Sequence, residues 1–125
     1  MYYGDIIESF EKALSRLKEA LYAQKTVLTR DAAIKRFEFT FELAWKSIQK
    51  FLADQGIVCG SPKGCFKEAF KFGLIKDNPL WIRMIEDRNM TVHTYNELIA
   101  EAIYEKLRDY LPLFDELSEK LEIGD

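Results

Sequence analysis

From Ile7 onward, apolar side chains return every three or four residues: Ile7, Phe10, Leu14, Leu17, Leu21 and, past a polar gap at Gln24, Leu28. That interval lines them along one narrow stripe of an α-helix. A second run, Ile34, Phe37, Phe41, Ala44, Ile48 and Phe51, is widened by Trp45 and Leu52. Thr29 is the expected cap before it and Gly56 the expected stop after it. Both helices are expected to run about seven turns, and the short link between them makes them antiparallel. Gly60-Ser61-Pro62 then punctuates the chain, with Ser61 suited to an N-cap and Pro62 to the first helical position. A short helix follows, with Phe66, Ala69 and Phe70 on one side and Lys63, Lys67 and Lys71 on another, ending at Gly73. Asp77-Asn78-Pro79 repeats the start signal ahead of Leu80, Trp81, Met84 and Ile85.

The last run is Leu98, Ala102, Ile103, Leu107, Tyr110, Leu111, Phe114, Leu117 and Leu121. Pro112 lies inside it and is expected to kink or split the helix, because its ring displaces a carbonyl one turn back. No stretch alternates with the period of a strand, and no internal repeat appears. The expected fold is all-α: a single domain over residues 1–125, an antiparallel up-and-down bundle of four main helices with a short additional one.

Composition narrows the functional classes. The 125 residues are 48% hydrophobic and 14% aromatic, which excludes a disordered chain. Eighteen basic against twenty-one acidic side chains leave a net charge of −3. Proteins that hold nucleic acid mainly by counterion release are usually basic, so stable DNA binding is not expected. The charge is uneven: residues 1–61 carry nine basic and eight acidic groups, residues 62–88 six and four, and residues 89–125 three and nine. An anionic ligand would favour the middle of the chain over its tail. No apolar run approaches the roughly 18 residues of a membrane span. Met1-Tyr2-Tyr3-Gly4-Asp5 lacks the basic start of a signal peptide. A cytoplasmic protein without a membrane anchor is expected. Cys59 and Cys65, with five residues between them, do not have metal-ligand spacing. A cytosolic chain would keep both reduced, the alternative being a loop-closing disulfide.

The chemistry concentrates in Asp87-Arg88-Asn89-Met90-Thr91-Val92-His93-Thr94-Tyr95-Asn96. Thr91, Val92 and Thr94 are β-branched and weaken helix, so a junction between helices is expected here. At it stand the only histidine, an arginine five residues earlier and a tyrosine two residues later. An imidazole exchanges protons near neutral pH, and a guanidinium is a permanently charged fork that matches a phosphate. On a regular helix Asn89 and His93 would share a face, while Arg88 and His93 would stand about 140° apart and could meet only through the long arginine side chain or a break between helices. Lys63 and Lys67 are further candidates for phosphate contact, against plain solvation. Glu38 and Glu42, one turn apart, lack the Glu-x-x-His partners of a bundle di-metal site and read as a solvated or ion-paired edge.

Arg88-Asn89-x-x-x-His93 between two helices resembles the R-x4–6-H motif of HEPN domains, and the extension to Tyr95 resembles the R-x4-H-x-Y form of HEPN toxins paired with minimal nucleotidyltransferases. More widely, Arg36 through Lys46, Ser61-Pro62-Lys63, Lys67 through Phe70, Gly73-Leu74-Ile75, Trp81 and Met84 resemble the nucleotidyltransferase substrate-binding protein family, in order, from about residue 5 to 120. The resemblance implies a homodimer whose two motifs meet in a cleft near the two-fold axis. It further implies metal-independent RNA cleavage with no cofactor and a minimal nucleotidyltransferase as cognate partner. Residue counting agrees on the dimer, because cutting RNA without metal takes both a base and an acid, and one histidine per chain does not easily fill both roles. In that reading His93 is the acid–base group and Arg88 steadies the phosphorane. Asn89 orients phosphate or imidazole, a 2′,3′-cyclic phosphate is the product, and Tyr95 accepts AMP from the partner. The alternative is a non-catalytic subunit that presents a nucleotide or other substrate to a separate nucleotidyltransferase.

Overall fold

The structure, a computed structural model, describes residues 3–123. Five helices follow one another: α1 (Tyr3–Tyr22), α2 (Val27–Asp54), α3 (Pro62–Phe72), α4 (Leu80–Met90) and α5 (Glu97–Ile123), with a short 3₁₀ turn (Thr91–His93) between the last two. Among the described residues there is no strand. Three helices are long, of 20, 28 and 27 residues, and α3 and α4 have 11 each.

The first boundary falls earlier than the apolar stripe suggests. α1 stops at Tyr22, and Leu28 belongs to α2, where it is 79% exposed. The reason is a cap at Thr26. Its hydroxyl accepts the Thr29 N–H at 3.0 Å, and Thr29 Oγ1 accepts the Thr26 N–H at 2.8 Å, so Thr29 is the third residue of a reciprocal box and not the cap itself. The other caps fall where expected. Ser61 accepts from the Gly64 N–H at 3.1 Å with Pro62 at the first helical position. Gly73 closes α3 in the left-handed region, φ +93°, with the Leu74 N–H returning to the Ala69 carbonyl at 2.9 Å. Asn78 Oδ1 accepts the Leu80 N–H at 2.9 Å and starts α4.

Pro112 does not split α5. Pro112 and Arg108, whose carbonyl loses its donor, are both exposed, so water can serve that carbonyl. Leu111, Leu113 and Phe114 stay buried and carry the helix past the gap.

Buried apolar side chains of all five helices join one core. α1 packs chiefly on α2, and α2 on α5 and α3. Cross-links fix the directions. Lys18 reaches Asp115 at 2.5 Å and Ser118 reaches Glu11 at 3.0 Å, so α1 and α5 run antiparallel. Arg30 meets Glu97 and Glu101 while Phe37 stacks on Tyr110, so α2 and α5 run parallel. Phe70 and Leu98, counted on apolar faces from the sequence, are in fact exposed. The two cysteines, expected as thiols, form a disulfide with Cα atoms 5.2 Å apart. Cys65 is buried in the core, and Gln49 Nε2 holds the Cys59 carbonyl at 2.8 Å, so the loop lies against α2 where the two sulfurs meet.

Candidate functional site

The junction after α4 is built by the β-branched residues that break it. Thr91 Oγ1 donates to the Arg88 carbonyl at 2.7 Å and Thr94 Oγ1 to the Thr91 carbonyl at 2.9 Å. Each hydroxyl occupies a carbonyl that a continuing helix would use, and the chain tightens into a 3₁₀ turn. Asn96 restarts the helix. Its N–H reaches the His93 carbonyl at 3.0 Å, and its Oδ1 accepts from Leu98 and Ile99.

Arg88 is drawn inward. Its Nη1 donates to Glu42 Oε1 at 2.7 Å, and the guanidinium lies over the Phe41 ring at 4.7 Å. Glu42 also meets Lys46 at 3.6 Å, and Glu38 meets Lys35 at the same distance, so of the solvated or ion-paired edge expected of these glutamates the ion-paired form is present. Arg88 Nε is buried without a hydrogen-bond partner. The guanidinium therefore keeps donor capacity beyond what Glu42 takes up.

His93 is exposed, and its ring stands edge-on to Tyr95 at 6.1 Å. Tyr95 is 83% exposed. Asn89 is exposed as well. Among the described residues no hydrogen bond or ring contact joins Arg88 or Asn89 to His93. The chain thus presents His93 and Tyr95 together on the surface of the turn, with Arg88 one turn back against α2. A groove of about 460 Å³ runs beside them, lined by Ile34, Lys35 and Glu38 of α2 and by Thr91, Val92 and Tyr95. Lys63 and Lys67 lie apart from it, on a cleft of about 250 Å³ walled by Phe66, Phe70, Trp81 and Ile82. Among the described residues no group of three His, Cys, Asp or Glu side chains could hold a metal ion.

Two clusters, each centred on one buried charged residue, brace the junction, and neither stands out from the sequence. Downstream, Arg30 is 3% exposed and donates to Asp31 and Glu97, with a longer contact to Glu101. The hydrogen bond to Glu97 raises the Arg30 pKa further, and the same pairing lowers that of Glu97. Lys25 and Arg30 together lower the Glu101 pKa. Upstream, Asp87 is buried and accepts from Tyr110. Burial, followed by that bond, pushes the Tyr110 phenol well above the usual range. The only signals were a charged residue on the buried face of each helix and an aromatic hydroxyl in the core stripe.

Comparison with known proteins places this helical bundle in a family. Residues 5–123 match the family described as nucleotidyltransferase substrate binding protein like, and the chain belongs to that family. A Haemophilus influenzae protein named probable ribonuclease HepT is 36% identical over 84 residues, 63% of this chain and 58% of that protein. The chain thus spans less than two thirds of that relative's length. A Thermus thermophilus protein of solved structure superposes with a TM-score of 0.85 at 43% identity, covering 90% of this chain and 98% of the other. A second solved structure, from Haemophilus influenzae and described as the fold of a substrate binding domain of a nucleotidyltransferase, gives 0.71 at 28% identity over 96% of each chain.

Proposed function

We propose that the protein is a metal-independent ribonuclease of the HEPN type, active as a homodimer in the cytoplasm and silenced by a minimal nucleotidyltransferase. One observation carries the reading: an exposed imidazole on a 3₁₀ turn, one turn beyond a guanidinium already steadied by Glu42 and Phe41. In the dimer one His93 takes the proton of the 2′-hydroxyl as its oxygen attacks phosphorus. The other gives a proton to the departing 5′-oxygen. The products are a 2′,3′-cyclic phosphate and a 5′-hydroxyl. Arg88 faces the charge that grows on the phosphorane, and Asn89 hydrogen-bonds phosphate or imidazole. Lys63 and Lys67 contact phosphates farther along the strand. Tyr95, beside His93 and open to solvent, is the acceptor to which the partner transfers AMP from ATP: the phenol loses its proton, its oxygen attacks the α-phosphorus and pyrophosphate leaves, placing an anion and a bulky nucleoside over the imidazole. The probable ribonuclease among its relatives supports this reading.

Purified protein is expected to cut single-stranded RNA in EDTA. His93→Ala and Arg88→Ala should abolish cutting while the mass in solution stays that of the wild type. Equal RNA profiles for wild type and His93→Ala would overturn the proposal.

The second reading, a subunit that binds a nucleotide or other substrate for a separate nucleotidyltransferase, is favoured by the pairing of Arg88 with Glu42 and by the acidic last third of the chain. Both weaken general affinity for RNA. Calorimetry with nucleotides separates the two, since a tight Arg88-dependent site without turnover belongs to the binding subunit.

A further inference from the structure

Asp87 stands directly before Arg88, and its side chain is only 8% exposed. A carboxylate removed from water is costly unless its lone pairs are filled. Here Tyr110 donates its hydroxyl to Oδ2 at 2.5 Å, and Lys106 approaches Oδ1 at 3.4 Å. Tyr110 is 1% exposed, and its ring stacks on Phe37 at 5.8 Å with 21° between the planes. Phe37 meets Phe41 at 6.3 Å, and Phe41 carries the Arg88 guanidinium. The contacts close a circuit: from α4 through Asp87 to Tyr110 of α5, across to Phe37 and Phe41 of α2, and back to α4 at Arg88.

Leucine and phenylalanine would fill the same space without burying a charge, which is often the more stable solution. Stability alone therefore does not account for the pair. What a hydrogen bond adds over an apolar contact is direction. α4 has only 11 residues, and its other buried anchors, Trp81 and Met84, lie toward its start. A roll of about 15° around the helix axis would carry an arginine head group by about 2 Å. Misplacement by about 1 Å is enough to cost a reaction roughly 100-fold.

We propose that Asp87 and Tyr110 are a positioning pair that fixes the rotation of the last turn of α4, and so sets where Arg88 and the Thr91–His93 turn stand. The pair touches no substrate. It serves either reading of the site, because both need Arg88 in one place, and only the kinetic arm of the test rests on RNA cleavage.

The test uses the full chain with the double substitution Asp87→Leu/Tyr110→Phe and the single Asp87→Asn, which keeps an acceptor for the phenol. The double variant should melt no lower than wild type. Its amides at residues 91–94 should exchange with deuterium about 10-fold faster. Its kcat on RNA should fall about 100-fold with KM within about twofold, as expected when only transition-state placement is lost. Asp87→Asn should stay within about threefold of wild type on both measures. Wild-type exchange and kcat in the double variant would overturn the proposal, as would losses that simply track a lowered melting midpoint. Should the double variant not fold, Asp87→Asn/Tyr110→Phe, which removes the directed bond without leaving a buried charge, carries the same comparison. If the wild type cuts no RNA, the exchange arm still decides the pair, and the ribonuclease reading falls separately.

Discussion

Arg88 shows how much a residue type conveys and where it stops. A fork of donors next to a lone histidine reads as a phosphate site in the bare sequence. What orients the fork is Phe41 beneath it and Glu42 beside it, 47 and 46 positions away in the chain, and no local pattern announces that contact. The sequence leaves the glutamate as part of a solvated or ion-paired edge and does not identify Arg88 as its partner. Because the guanidinium both stacks and pairs, lysine is a poor substitute: it keeps the charge and loses the plane. Arg88→Lys is therefore expected to lower RNA cleavage by about 100-fold or more. The pair with Glu42 is partly exposed, so stability should change by less than about 1 kcal/mol. Urea unfolding followed beside cleavage of a labelled oligonucleotide checks both. A variant that cuts as well as wild type would show that charge alone is what the site uses.

The elements were legible wherever a cap and a period agree. Ser61, Pro62, Gly73 and Asn78 each act where their chemistry predicts. The misplacements have different causes. Leu28 continues the spacing of α1, yet the Thr26–Thr29 box starts a new helix beneath it. Pro112 breaks a hydrogen bond, yet the packing of Leu111, Leu113 and Phe114 holds α5 through the gap. The compartment argument leaves the cysteines reduced, whereas the fold brings them into bonding distance. That bond closes a short loop, and in the chain-entropy picture a loop of this size contributes about 2 kcal/mol by restricting the unfolded chain. The double substitution Cys59→Ser/Cys65→Ser, or reduction with dithiothreitol, should therefore lower the melting midpoint by about 8 °C. Calorimetric scans with and without reductant measure it, and the same midpoint in both would mean that the loop is held by Gln49 and the core without help from sulfur.

At the scale of the whole molecule, the bundle holds the junction from both sides, with Asp87 of α4 held by Tyr110 of α5 before it and Arg30 of α2 gripping the start of α5 after it. That grip makes stability depend on pH with a definite sign. Pairing lowers the folded pKa values of Glu97 and Glu101 from 4.5, so their contribution is complete above that value and is lost as pH falls through the depressed ones. Melting midpoints measured from about pH 6 to about pH 3 should fall less steeply in Glu97→Gln/Glu101→Gln than in wild type. Parallel curves would remove the grip from the account.

The proposed dimer makes a sharper demand. One imidazole per chain must serve as base in one copy and acid in the other, so a mixed dimer with one His93→Ala chain lacks half of the machinery. If copies pair at random, active dimers scale as the square of the wild-type fraction. Co-expression of equal amounts of wild type and His93→Ala should then leave about one quarter of the wild-type RNA cleavage. A value near one half would mean that each chain cuts alone, and the composite site would have to be abandoned even if His93 itself proved essential.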